Sequence, residues 1–359
     1  MPSTVLFLSP LRKASGNHST IQRIRTLLES DALNCLQWDP ADFHNEEEFL
    51  SKLKESPVDF IIALHAYRAG QFLSAKVPVE YILIFGGTDI NQFHEDDNKL
   101  TLMTRAVKTA RYIITFSAQM MDRALQIWAS APDLDQSKAV TIKQGIQTMP
   151  SSLNLRDVLV ERGHVSSSEA GKAYIFLFVG SIRSVKDPLY LVNTMAEWHK
   201  ERKDVLYVII GPKQDEDYFS SFKTKIASKT GIIYMGEMSI EDTHACMKHS
   251  NALVNTSESE GMAAVVLEAM DVGTLVIARR NDGNESLIQH GVTGFLFSSP
   301  QEFKNIAEKL MDDDEAQRRV TREAKNQILK EHSPETEKNA YLKVINHLKH
   351  RNTKSKLKL

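Results

Sequence analysis

Ala252-Leu253-Val254-Asn255-Thr256-Ser257-Glu258-Ser259-Glu260-Gly261-Met262-Ala263-Ala264-Val265-Val266-Leu267-Glu268-Ala269-Met270 reads as a buried strand, a glycine-bearing loop and a helix in direct succession. Ala252 to Asn255 is a strand-sized run. Gly261 is expected to open the helix, whose apolar residues face a sheet, and Gly273 to close it. Glu260 sits just before that helix, where successive backbone N–H groups lack intrahelical partners, so the loop is a natural phosphate site.

The same alternation extends in both directions. Tyr174 to Val179, Val205 to Ile210, Ile232 to Met235 and Thr274 to Ala278 read as further strands with helical segments between them. In the first half, Val5 to Leu8, Asp59 to Leu64, Tyr81 to Phe85 and Tyr112 to Phe116 are strands, and Ile21, Ile24, Leu27 and Leu28 recur at helical spacing. Near-continuous apolar strands alternating with helices imply parallel sheets covered on both faces. The fold class is therefore α/β, with two Rossmann-like doubly wound domains facing across a cleft. Residues 1–160 form the first domain, 161–172 a linker rich in serine and glycine, and 173–334 the second domain. A helix over 335–350, with Tyr341, Val344, Ile345 and Leu348 on one face, crosses back to complete the first domain, and 351–359 is a basic, frayed tail. Open α/β sheets bind ligands at the C-terminal ends of their strands, so the loops there hold the chemistry.

The chain has 359 residues, 42% hydrophobic and 25% charged, with a formal net charge of −2. That length favours two domains, and that composition excludes disordered, collagen-like and disulfide-scaffold proteins. The near-neutral charge argues against a nucleic-acid binder. The only cysteines, Cys35 and Cys246, form no metal-type cluster and fit a reducing compartment. No apolar run approaches the ~20 residues of a membrane span. Val5 to Leu8, followed by Arg12 and Lys13, is too short for a signal peptide. Three glycosylation sequons (at Asn17, Asn255 and Asn284) fall in expected cleft loops, where a glycan would obstruct the site. A cytoplasmic location follows as the expectation.

Glu260 and Glu268 are eight residues apart, which along a helix is roughly 12 Å. Glycosidase carboxylate pairs need about 5–9.5 Å, so these two do not act on one bond. They suit the two ends of an extended ligand with a phosphate between them. A nucleotide-sugar has that layout.

Glu260 to Glu268 resembles the E-x7-E signature of the retaining GT-B glycosyltransferases of the group 1 (GT4) family. Val179 to Lys186 resembles that family's strand–Gly–loop–Lys segment, and Gly231 to Gly236 and Val276 to Leu296 resemble its later signatures. Gly86 to Ile90, Thr115 to Ser117 and Gly145-Ile146 line up with its acceptor-domain loops. The resemblance implies a nucleotide-sugar donor on the second domain and an unidentified acceptor on the first. Glu268 would bind the ribose hydroxyls and Glu260 the donor sugar. Lys186 and Arg183 would hold the diphosphate, assisted by Gly180 and by the N–H groups of Gly261 and Met262. Gly16 would bring backbone to the same phosphates, while His65 and Asp89 belong to the acceptor side. Fixed cations and N–H dipoles would stabilise the leaving diphosphate, so neither a metal nor another cofactor is expected. Domain closure would exclude water.

Ser181 departs from the family, which often has arginine there, and Gly86 stands where a histidine is common. These departures motivate one alternative, a catalytically silent nucleotide-binding or scaffold protein, and a sugar-nucleotide epimerase on the same two-domain plan is a further one. Asp215-Glu216-Asp217, although of DxD form, reads as a solvated acidic loop, as does Asp312-Asp313-Asp314.

Overall fold

The computed structural model describes residues 2–11, 16–30, 32–129 and 135–356, with the side chains of 350–356 excepted. Arg12 and Lys13 lie outside the described residues. The chain divides into two compact units, one of residues 1–145 and 334–359 and the other of 146–333.

The first unit holds β1 (Ser3–Leu8), β2 (Leu33–Trp38), β3 (Phe60–Leu64), β4 (Tyr81–Ile84), β5 (Tyr112–Thr115) and β6 (Ala139–Thr141). They form one parallel sheet in the order β2-β1-β3-β4-β5-β6. The second unit holds β7 (Tyr174–Val179), β8 (Val205–Ile210), β9 (Ile232–Gly236), β10 (Ala252–Asn255), β11 (Leu275–Arg279) and β12 (Phe295–Phe297), also all parallel, in the order β12-β11-β10-β7-β8-β9. Each unit is a Rossmann-like α/β domain. Three strands escape a reading by apolar runs. β2 is interrupted by Asn34 and Gln37, and β6 and β12 are only three residues long.

The apolar runs follow from burial on both faces. In the second unit Ile175 and Leu177 join one core with Leu206, Val208 and Leu253. The alternate residues Phe176 and Phe178 join the other core with Tyr207, Ile209 and Val254. Each strand thus buries its odd and even side chains on opposite sides.

The linker expected over 161–172 is instead folded. Leu155–Glu161 and Ser167–Lys172 are helices of the second unit, the latter opened by a Ser166–Glu169 capping box. The serines that suggested a linker are a helix cap, and Leu155, Leu159 and Ala173 belong to the core. The chain passes between units at Gly145, not near residue 160. At the other end the helix Pro334–Lys356 belongs to the first unit, where it packs on the helix Gly16–Leu28. Tyr341, Val344, Ile345 and Leu348 are buried. Helix continues into the segment expected as a frayed tail, as far as Lys356; 357–359 lie outside the described residues. Glu337 pairs with Arg23 and accepts the Gly145 N–H at 2.9 Å. A Cβ on Gly145 would lie 2.8 Å from Pro334 Cα, so glycine is needed there.

Candidate functional site

In the second unit β7 and β10 are neighbours from which the sheet grows in opposite directions. This is the switch point at which open α/β sheets hold ligands. Gly180 follows β7, and the turn Ser184–Lys186 starts from Arg183 in extended backbone. A Cβ on Gly211, after β8, would lie 1.9 Å from the Gly180 carbonyl oxygen, so these loops meet backbone to backbone. The loop after β10 is stitched to the loop after β7. Thr256 Oγ1 donates toward the carbonyls of Lys186 and Asp187 at 3.0 and 2.8 Å, and Glu258 N–H donates to Val185 O at 3.0 Å. Asp187 takes a left-handed conformation (φ 42°) and is tied to Arg279 at 3.1 Å; that guanidinium stacks on Tyr190 at 3.9 Å.

These contacts bring Lys186 Nζ to 2.6 Å from Glu260 Oε1. Glu260 is buried. Burial pushes its pKa up, but the Lys186 charge and hydrogen bonds from Lys186, Ser257 and Asn255 outweigh this and hold it below the usual carboxylate value. Asn255 also accepts from Ser257 N–H (3.1 Å) and from Asn284 Nδ2 (3.1 Å), and Asn284 donates to Arg279 O (2.8 Å). A Cβ on Gly283 would lie 2.5 Å from the Glu260 carbonyl oxygen. Asn255, Asn284 and Gly283 therefore fix the Glu260 backbone and side chain. Sequence reading noticed the two asparagines only as sequons. Both are buried and bonded to each other, so neither is available to a glycan in the folded chain.

The helix bearing Glu268 starts at Ala264, three residues later than expected. Gly261 and Met262 lie in the preceding bend, so their N–H groups are not the helix terminus, and the 12 Å figure for a continuous helix does not apply. Gly261 is a poor helix former, and Glu260 is drawn into the Lys186 and Asn255 contacts, which end the loop late. Gly273 closes the helix in a left-handed conformation. Glu268 Oε2 lies 4.0 Å from Nε2 of the buried His244. His244 Nδ1 accepts the Met149 N–H at 3.2 Å, which places the neutral ring's proton on Nε2, facing Glu268.

In the first unit the sheet reverses between β1 and β3. Gly16 is the first residue of the helix after β1, rather than a loop residue, and a Cβ there would meet nothing within 4 Å. His65 follows β3 with φ 83°, and its Nδ1 is 2.7 Å from Asp89 Oδ1. Asp89 also accepts the N–H groups of Ala66 (2.6 Å), Tyr67 (3.1 Å) and Gly86 (2.8 Å). It is wholly buried and His65 nearly so. The partly exposed group is Thr88, whose Oγ1 is 3.1 Å from His65 Nε2. Sequence reading, which placed His65 and Asp89 on the acceptor side, missed Thr88 beside them.

Asp215 caps the helix Glu216–Ile226, accepting Tyr218 N–H, and Asp313 caps Asp314–Glu331, accepting Ala316 N–H. Among the described residues no group of three His, Cys, Asp or Glu side chains is arranged to hold a metal ion, and no helix is long and apolar enough to cross a membrane.

Residues 161–327 match the profile described as "Glycosyl transferases group 1". The chain is 34% identical over 342 residues to glycosyltransferase 1 domain-containing protein 1 of Xenopus tropicalis, covering 95% of this chain and 97% of that one. Among solved structures, Anabaena HepE with UDP and glucose superposes at a TM-score of 0.78 with 16% identity, covering 96% of this chain and all of HepE. Sucrose-phosphate synthase from Thermosynechococcus elongatus superposes at 0.77 with 14% identity, over 97% of this chain and all of the synthase. The fold they share with this chain is GT-B.

Proposed function

Because this chain belongs to the group 1 glycosyltransferases, we propose that it moves a sugar from a nucleotide-sugar donor to an acceptor, with retention of anomeric configuration and without a metal ion. The Lys186–Glu260 pair at the switch point between β7 and β10 carries the reading. An ammonium has three donors, and Glu260 takes one, so Lys186 can serve a diphosphate while remaining paired. Arg183, at the start of the same turn, adds charge. Gly180 and the N–H groups of Gly261 and Met262 line the same loops. As the bond to the sugar breaks, negative charge grows on the diphosphate, and these fixed groups stabilise it.

Glu260, held by Lys186 and Asn255, is aimed at the donor sugar's hydroxyls. Glu268 takes the ribose hydroxyls. In the first unit Gly16 opens a helix whose N–H groups suit a phosphate, and His65 with Asp89 organises the acceptor region. A uridine diphosphate sugar is the first donor to test, since HepE has been crystallised with UDP-glucose. A titration of UDP-, GDP- and ADP-sugars against the purified protein tests the reading. Saturable binding by one class, with transfer abolished in Lys186→Ala and Glu268→Gln, is the expected result. Full transfer activity in both variants would refute it.

A further inference from the structure

The first unit contains a directed chain of hydrogen bonds that ends on a partly exposed oxygen. Asp89 accepts three backbone N–H groups besides facing His65 Nδ1, so it acts as an acceptor on every side. Arg68 N–H also points at His65 Nδ1, but at 3.4 Å, against 2.7 Å for the carboxylate. An unprotonated nitrogen so close to a carboxylate would be repelled, so the shorter contact places the proton on Nδ1. In the neutral ring Nε2 then carries only a lone pair. Thr88 Oγ1, 3.1 Å away, must give its single proton to that lone pair. What Thr88 offers outward is two oxygen lone pairs and no proton.

His65 is held in this role at a cost. Its φ of 83° is left-handed, and a residue without glycine's freedom is strained there. The surroundings hold it. Its backbone N–H bonds Ile84 O, its carbonyl accepts Ala69 N–H, and its ring packs against Phe93 at a centroid distance of 5.6 Å. The Asp89 contacts to the next two backbone N–H groups, of Ala66 and Tyr67, fix the turn that aims the ring.

We propose that Thr88 Oγ1 is the hydroxyl-recognising atom of the acceptor region, with His65 and Asp89 as positioning residues that keep it a pure hydrogen-bond acceptor. The ligand group it selects is therefore a hydrogen-bond donor, which in a sugar or other polyol is a hydroxyl, and not a carbonyl or an ionised phosphate oxygen, which have no proton to give. This deepens the reading of the first unit as the acceptor-binding one and rests on it. Selection follows from polarity, because a ligand oxygen without a proton would face lone pair against lone pair.

The test uses the full chain with 15N-histidine and long-range nitrogen–proton NMR. Probes are the methyl α-glycosides of glucose, mannose and galactose, each beside its fully O-methylated counterpart. His65 should appear as the Nδ1-protonated tautomer. At least one glycoside should shift its Nε2 signal saturably, and no O-methylated counterpart should. Thr88→Val should weaken that response at least tenfold, and Thr88→Ser should keep it within about threefold. UDP affinity, which reports the second unit, should change less than twofold in either variant. An Nε2-protonated ring, no response to any glycoside, or an equal response in Thr88→Val would overturn the proposal. Loss of UDP binding in the wild type would instead strike the donor reading alone.

Discussion

Among the described residues, only His65 and Asp187 outside glycine take a positive φ, and each lies beside a candidate binding group, His65 beside Thr88 and Asp187 beside Lys186. Strain of this kind persists only where neighbours over-determine it. Glu260 is held just as tightly. Its depressed pKa means it adds stability that is complete above the unfolded value of about 4.5 and is lost as pH falls through the folded one. The melting temperature of Glu260→Gln should therefore sit a constant interval below wild type above about pH 5.5, and the two should begin to converge only as pH falls below about 4.5, as read by calorimetry. Lys186→Ala should cost more than Glu260→Gln, on the order of 3 kcal/mol or more, because it leaves a buried carboxylate without its cation. Gly283→Ala forces a methyl against the Glu260 backbone. We expect it to weaken nucleotide-sugar binding at least tenfold, at a stability cost of about 1–3 kcal/mol, with the circular-dichroism spectrum unchanged.

At the scale of elements, the long apolar strands and the C-terminal helix are legible because burial on two faces, or on one helical stripe, leaves a period in the sequence. β2, with Asn34 and Gln37, and the three-residue β6 and β12 leave none. The linker reading failed because serine serves helix caps as readily as loops, and only the Ser166–Glu169 reciprocity distinguishes them. Glu260 and Glu268 stand out in the sequence by their spacing, and Lys186 only by the family resemblance. Asn255, Asn284 and Gly283 do not, because their work is to fix another residue, and that has no period. One element, residues 146–151, runs over the second unit. Thr148 bonds Asp271, Met149 bonds His244, and Ser151 bonds Asp242. Burial lowers the His244 pKa from 6.5, against the opposing charges of Glu241 and Asp271. The unfolded chain then binds the proton more readily, so stability falls as pH drops below about 6.5. The melting temperature of wild type should fall between pH 7 and 5, and His244→Gln should flatten that slope in a pH series of thermal melts.

At the scale of the molecule, Ala252 to Met270 ties the second sheet to the candidate site. Its strand supplies one side of a switch point and its loop supplies Glu260, while its helix, shorter than expected, carries Glu268. The first unit is discontinuous in sequence, since residues 334–359 complete it. A chain ending at residue 333 would expose the face that Tyr341, Ile345 and Leu348 cover, and would leave Arg23 without Glu337. Such a truncation should lose the cooperative unfolding of the first unit in a thermal melt while that of the second remains. The second unit is proposed to hold a nucleotide-sugar through Lys186 and Glu268. Calorimetric titration of UDP-glucose, GDP-mannose and ADP-glucose into wild type, Lys186→Ala and Glu268→Gln measures it directly. Wild type should bind at least one donor saturably, and each variant should lose at least tenfold in affinity. Binding of none of the three, or equal binding by all three proteins, would contradict that proposal.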